Sequence, residues 1–317
     1  MKKMDVVALG ELLIDFTQNG MSEQGNLMFE ANPGGAPCNV LAMLNNLGKK
    51  TGFIGKVGDD FFGHMLGDTV EKLGIDVSGL YYDKDVRTTL ALVHTKEDGD
   101  RDFSFYRNPG ADMMLTVEEL NEGLLKNTRI FHCGTLSMTH DKVREATYKA
   151  IQIAKDAGAV FTFDPNLRPP LWNSQEEAKK QIAHGMQLCD VLKISDNEVE
   201  FMTGESDIVK GVEILKGMTS AKLICATAGK DGSYAFCGGR QVYAPGVKVE
   251  HVVDTTGAGD TFCACMINYV LDHGMDLTEE QMKEMLVKAN QTASMITAKK
   301  GALRVMPTVE EIEKAFG

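Results

Sequence analysis

What most constrains this chain is a rhythm: short, nearly continuous apolar runs, each followed by a longer stretch with helical spacing. The runs are DVVALG (5–10), KTGFIGKVG (50–58), TRIFHCG (128–134), AVFTFD (159–164), DVLKIS (190–195), KLICATAG (222–229) and SYAFCGG (233–239). Stretches that read as helices are 36–48, 61–73, 141–157, 175–187, 197–203 and 207–216, then 258–273 and 279–298. Within 141–157, Val143, Ala146, Ile151 and Ala154 recur at helical spacing and form one core face. Strands that are apolar throughout are buried on both faces, and strands alternating with helices make a mostly parallel sheet. The expected class is α/β.

Two regions break the rhythm. Residues 11–33 and 81–110 are richer in polar and β-favouring residues, as in TTLALVHTKEDGDRDFSFYR (88–107). There Thr88, Leu90, Leu92 and His94 alternate with Thr89, Ala91, Val93 and Thr95, and Glu97-Asp98-Gly99-Asp100 suits a hairpin turn. These regions read as a small antiparallel β lid appended to the main body. No long linker or internal repeat is visible, so one domain over 1–317 is expected, with the lid from about 11–33 and 81–110.

Composition excludes several classes. Hydrophobic residues at 43% and charged residues at 25% suit an ordinary globular chain with a core. No apolar run approaches the ~20 residues of a membrane span. The start, Met1-Lys2-Lys3-Met4-Asp5, leads only to Val6–Leu9 before Gly10 and Glu11, a first strand and not a signal peptide. Cysteines at 38, 133, 189, 225, 237, 263 and 265 form no C-x-x-C and lie mostly in apolar runs. They read as small buried hydrophobes in a reducing cytoplasm. A net charge of −12 argues against nucleic-acid binding, which needs a basic face. No nucleic-acid or membrane partner is expected.

In open α/β sheets, ligands bind beyond the carboxyl ends of the strands, and the unusual residues gather there. Strand 5–10 leads to Gly10, Glu11 and Asp15, and strand 159–164 ends in DPNLRPPLW with Asp164, Asn166 and Arg168. Strand 190–195 runs into SDNEVEF with Asn197 and Glu200. Strand 222–229 runs into TAGKDG with Thr227, Gly229, Lys230 and Gly232. Each has a plainer reading alone: a strand stop, a turn, a helix cap or a hairpin connection. Four on one edge favour a ligand site. In NPGGAPCNV (32–40), Pro33-Gly34-Gly35 permits a tight turn before helix 36–48, where a polar substrate can lie against the glycines and bond Asn39. The plainer alternative is a loop entering a helix.

The stretch VVDTTGAGDTFCACMINYVL (252–271) adds the chemistry. It fails as G-x-G-x-x-G because Phe262 stands at the third glycine, and the P-loop pattern is absent from the chain. Gly257, Ala258 and Gly259 instead offer backbone N–H groups at the start of a buried helix, where the dipole favours an anion. Asp260 lies in the first turn beside any anion held there. N–H donors for developing phosphoryl charge and a carboxylate for a hydroxyl proton are the parts that phosphoryl transfer needs. The local alternative is an acidic first-turn residue on a tightly packed helix. A Rossmann oxidoreductase would need its fingerprint after the first strand, where ALGELLIDF has one glycine. A non-enzymatic nucleotide- or sugar-binding module would lack the base or the anion hole, and both are present.

DTTGAGDTF (254–262) closely resembles the C-terminal signature of the ribokinase-like (PfkB) carbohydrate kinases, and GGAPCNV (34–40) resembles the N-terminal one. DPNLRPPLW, KISDNEVEFMTG (193–204) and FSFYRNPGAD (103–112) look like the fructokinase branch, and the likeness runs along essentially the whole chain. The resemblance implies a three-layer α/β/α sandwich with a β lid, and an ATP-dependent fructokinase acting on the 6-hydroxyl of fructose. Neighbouring substrates for such a kinase are 2-keto-3-deoxygluconate, ribose and the nucleoside aminoimidazole riboside. It implies Asp260 as base and Gly257, Ala258 and Gly259 as the anion hole. Sugar contacts fall on Asp15, Gly34, Gly35, Asn39, Arg107, Asn166 and Arg168. Nucleotide contacts fall on Lys193, Asn197, Thr227, Gly229, Gly232 and Asn290. Asn197 and Glu200 match the element that organises Mg²⁺ and its waters, and Asp254, Thr256 and Gly301 a monovalent cation (K⁺) site. Cys38, Leu41 and Leu303-Arg304 depart from the usual pattern, the first two near the sugar pocket and the last pair near the cation site. A homodimer paired through the lid is also implied.

Overall fold

The apolar runs become strands of one nine-stranded sheet, and the rhythm-breaking regions become a separate four-stranded one. The structure, a computed structural model, describes residues 4–95 and 101–316, the side chains of 93–95 and 101–103 excepted. The turn expected at 97–100 lies outside the described residues. In chain order the first elements are β1 (Met4–Leu9), β2 (Leu13–Met21), β3 (Leu27–Gly34), α1 (Ala36–Asn46), β4 (Thr51–Gly58), α2 (Phe61–Lys72) and β5 (Asp76–Asp83). Next come β6 (Leu90–Thr95), β7 (Arg101–Tyr106), α3 (Glu122–Lys126), β8 (Thr128–Cys133), α4 (Asp141–Asp156), β9 (Val160–Phe163) and α5 (Gln175–Leu188). Then follow β10 (Val191–Ser195), α6 (Asp196–Thr203), α7 (Ile208–Lys216), β11 (Leu223–Thr227), β12 (Ser233–Cys237) and β13 (Arg240–Ala244). The chain ends with α8 (Ala258–His273), α9 (Glu279–Ile296) and α10 (Val309–Phe316).

The main sheet has the order β13-β12-β11-β10-β9-β8-β1-β4-β5. It is parallel from β11 to β5, and β12 and β13 add an antiparallel edge. Every residue of β4 is buried, as a strand covered on both faces must be. Along β1 the two-residue period divides the core. Val6 and Ala8 join one cluster with α1, α2, α8 and α9, while Val7 and Leu9 join the other with α4, α5, α6 and α7. Each fully buried Leu, Ile or Phe contributes about 1.5–3 kcal/mol, so the two clusters carry most of the folding energy. The expected three-layer α/β/α architecture is present.

The lid has the order β3-β2-β6-β7, two antiparallel hairpins joined by a parallel β2–β6 pair. Its boundary differs from expectation. Residues 81–83 belong to β5, at the edge of the main sheet, where the burial pattern is mixed. That mixed pattern, with no continuous apolar run, is why they read as lid. Among the described residues, no helix is long and apolar enough to cross a membrane.

Candidate active site

The carboxyl ends of the parallel strands open into a cleft of about 760 Å³ between main sheet and lid. Asp15, Gly35, Asn39, Asn166, Arg168, Lys193, Asp254, Thr256, Gly257, Gly259, Asp260 and Gly301 all line it. Twelve of the expected residues, drawn from widely separated parts of the chain, therefore meet.

Asp260 is at the centre. Gly257 caps α8 at φ 81°, a left-handed conformation open to glycine, and no side chain caps this helix. Its first-turn N–H groups are thus left for a ligand, except that Ala258 donates its own to Thr255 O at 3.2 Å. Of the three expected anion-hole residues, Gly257 and Gly259 line the cleft and Ala258 does not. The Asp260 carboxylate is 8% exposed. Oδ2 accepts from Asn39 Nδ2 at 2.8 Å and Oδ1 from Asn166 Nδ2 at 3.4 Å. Burial pushes its pKa up, while these amides and the charges of Lys193 and Arg168 work against that rise. Asn166 holds its place with φ 45°, a conformation asparagine tolerates, and its N–H bonds Asp164 Oδ1.

Lys193, 6% exposed, pairs with Asp164 at 3.0 Å. Burial opposes its charge, but Asp164 and Glu198 outweigh burial and hold its pKa above the ordinary lysine value. A Cβ added at Gly259 would stand 3.4 Å from its ammonium, so a fixed cation flanks the start of α8. Arg168 is exposed at the other side, its Nη1 donating to Leu167 O at 3.2 Å.

The glycine turn before α1 is needed for space. Gly35 has φ 128°, and a Cβ there would come within 2.3 Å of Glu11 O. At Gly34 a Cβ would come within 2.4 Å of Asp15 Oδ2. Burial pushes Asp15 up to about 6, with Arg168 pulling it down. Asn39 is 4% exposed, and its Oδ1 has no hydrogen-bond partner among the described residues. Just before α8, Asp254 Oδ1 accepts from Thr256 N at 2.7 Å and Oδ2 from Gly301 N at 3.3 Å, so the three expected cation-site residues form one cluster.

Other expected residues lie outside this cleft lining. Arg107 is buried, with Nε bonding Asp112 at 2.8 Å, Nη1 bonding Thr139 at 2.8 Å and Nη2 bonding Leu136 O at 3.0 Å. Asn197 and Glu200 are exposed one turn apart on α6. Thr227 ends β11, and Gly229 and Gly232 lie in the β11–β12 connection, where a Cβ on Gly232 would come within 2.2 Å of Ala244 O. Asn290 is buried beneath it, accepting from Ser233 Oγ at 2.9 Å and donating to Ala244 O at 3.2 Å and Pro245 O at 3.1 Å.

Sequence reasoning noticed Glu11 and Asp164 at strand ends without giving them a role, and it passed over Glu198. Glu198 ties α6 to the strand ends, accepting from Leu167 N at 2.7 Å and Ser195 N at 2.8 Å. Its Ser195-x-x-Glu198 capping box was a legible signal. Phe105, Leu136, Val252 and Val253 also line the cleft without a motif that would have marked them.

A family model described as pfkB family carbohydrate kinase matches residues 3–309. The chain is 42% identical over 308 residues to the probable fructokinase-2 of Arabidopsis thaliana, covering 96% of this chain and 93% of that protein. It is 42% identical over 309 residues to fructokinase-2 of Solanum lycopersicum, covering 96% and 94%. Among solved structures it resembles a fructokinase from Vibrio cholerae O395 in a fructose-, ADP- and calcium-bound form, with TM-score 0.89, 28% identity and 99% of each chain covered. Both signature stretches meet in the cleft, and the family match spans nearly the whole sequence: the chain belongs to the pfkB family of carbohydrate kinases.

Proposed function

We propose that this chain is an ATP-dependent fructokinase, transferring the γ-phosphoryl group of ATP to the 6-hydroxyl of D-fructose to give fructose 6-phosphate and ADP. The observation that carries the reading is Asp260, buried at an uncapped helix start and held by Asn39 at 2.8 Å. The relatives named fructokinase support the choice of sugar.

In this mechanism Asp15, the Gly34–Gly35 turn, Asn39, Asn166 and Arg168 hold the sugar, and Arg107 acts from behind by fixing Leu136 at the cleft wall. Asp260 accepts the hydroxyl proton as the sugar oxygen bonds to the γ-phosphorus. The bond from phosphorus to the bridging oxygen breaks, and ADP leaves with that electron pair. Gly257 and Gly259 N–H groups and the Lys193 ammonium face the charge that develops on the phosphoryl oxygens, the kind of stabilisation on which such transfers depend. A sugar hydroxyl has a high pKa, so the base is needed late and in hydrogen-bond reach. The lid over the sugar limits ATP hydrolysis by excluding water.

Among the described residues, no three His, Cys, Asp or Glu side chains cluster as a metal cage. That donor set fits Mg²⁺ carried by phosphate oxygens and water with one or two carboxylates. Asn197 and Glu200 would hold its waters, and the ion when bound neutralises phosphate charge. Asp254, Thr256 and Gly301 would hold K⁺ beside the anion hole. Gly229, Gly232 and Thr227 would face the nucleotide, with Asn290 bracing their loop.

We read 1–317 as one domain with its lid. In β3, a lid edge strand, Leu27, Met28 and Phe29 are 53%, 44% and 40% exposed, which supports a homodimer paired through the lids. All seven cysteines are free and buried, in keeping with a cytoplasmic location.

The test is an ADP-release assay with Mg²⁺, with and without K⁺, over fructose, ribose, 2-keto-3-deoxygluconate and aminoimidazole riboside. Fructose is expected to give the highest kcat/KM. Turnover on another of these with none on fructose overturns the substrate assignment.

A further inference from the structure

The cleft contains a carboxyl group for which the mechanism above has no use. Glu11, just after β1, is 5% exposed and has no ion-pair partner among the described residues. Its Oε1 accepts the Ala36 N–H at 2.9 Å. Ala36 is the first residue of α1, whose N-cap, Gly35, has no side chain with which to cap it. Glu11 therefore supplies from a neighbouring strand end the acceptor that an N-cap serine or aspartate ordinarily provides. The backbone at Glu11 is also packed against this turn, because a Cβ on Gly35 would stand 2.3 Å from Glu11 O.

From that turn the connection to the base is short. Gly35 O accepts from Asn39 N at 3.0 Å, the first helical bond of α1. Asn39 Nδ2 then donates to Asp260 Oδ2 at 2.8 Å. Glu11 and Asp260 also share the wall of a small pocket, about 10 Å³, with His132, Thr135, Asp164 and Asn166. We propose that Glu11 is a positioning residue for phosphoryl transfer: by capping α1 across the cleft wall it fixes Asn39, and through Asn39 the carboxylate of Asp260. This inference rests on the kinase reading of the site.

The test is a mutant cycle in the full chain, read as kcat and KM for fructose and for ATP, with circular dichroism and melting temperature as folding controls. Glu11→Ala is expected to lower kcat with fructose by about 10–100-fold, the scale of a misplaced catalytic group, with KM for ATP little changed. Glu11→Gln keeps an oxygen for the Ala36 N–H and is expected to restore most of the loss. In an Asn39→Ala background, Glu11→Ala should add little, because both act through one contact. If Glu11→Ala does not fold, Glu11→Ser, too short to reach the Ala36 amide, carries the same expectations. A folded Glu11→Ala or Glu11→Ser protein with wild-type kcat overturns the proposal. So does a glutamine variant as poor as the shorter one, or full multiplicative losses in the double variant. Wild-type protein that turns over another sugar and not fructose breaks the substrate reading alone, since the same cycle can be run on that sugar.

Discussion

The sugar and nucleotide ends proposed above are built differently. At the sugar end, side chains from α1, the loop after β9, β10 and α8 converge on Asp260, and its carboxylate is bonded by two amides. At the proposed nucleotide end, outside the cleft lining, the expected residues are a glycine loop, an exposed helix face and a buried amide that bonds only its own scaffold. On the proposed function, the contrast follows from what each partner brings. A sugar hydroxyl is neutral and weakly nucleophilic, so the base has to be buried, aimed and held before substrate arrives. ATP brings its own charge, and backbone loops that let it approach are enough.

Perturbing each end separately sharpens that contrast. The largest effect is expected from Asp260→Ala, with kcat lowered on the order of 10³-fold or more and ATP affinity, by calorimetry, nearly unchanged. Near-normal turnover would remove the base from the mechanism. Asn39→Ala takes away the amide at 2.8 Å and should lower kcat by about 10–100-fold, the worth of a hydrogen bond to a charged group. Steady-state kinetics at saturating ATP measure it.

At the opposite end, Asn290→Ala leaves the Ser233 hydroxyl and two carbonyls without their buried partner. A stability loss of about 1–3 kcal/mol in denaturant titration is expected, with a raised KM for ATP and an unchanged KM for fructose. If the fructose KM moved instead, the two ends would not be separable. The smallest effect is a pH dependence. Burial pushes Glu11 up to about 7 from an ordinary 4.5, against the pull of the backbone N–H groups of Glu11 and Ala36, with Asp112 raising it and Arg107 lowering it to a lesser degree. Between those values the folded state keeps a proton that the unfolded chain has released, so rising pH takes stability away. Glu11→Gln lacks that loss, and its melting temperature relative to wild type should climb from pH 4.5 to 7 and then level off. A constant difference across that range would place the Glu11 pKa near its ordinary value.

Much of this was legible in the sequence. Strands buried on both faces announce themselves as apolar runs, and β1, β4, β8, β9, β10, β11 and β12 all coincide with the expected segments. The edge strands β5 and β13 did not, because their mixed burial leaves no apolar run to detect. Motifs brought the residues around Asp260 into view, but spacing along the chain cannot tell a ligand contact from a brace. Arg107 and Asn290 match family positions, yet their polar atoms bond protein neighbours. Glu11 lay in plain sight after β1, and its bond is to Ala36, 25 positions away.

The sequence alone determined the layer architecture, the two-residue division of the core along β1, and an acidic residue set among glycines at a helix start. Those follow from periodicity and local backbone preference, which neighbouring residues fix between themselves. Only the tertiary structure decided what surrounds Asp260. Asn39 reaches it from 221 positions away and Asn166 from 94. Such contacts depend on the order in which parallel strands are laid side by side, and burial of the whole core holds that order, not any short stretch of chain.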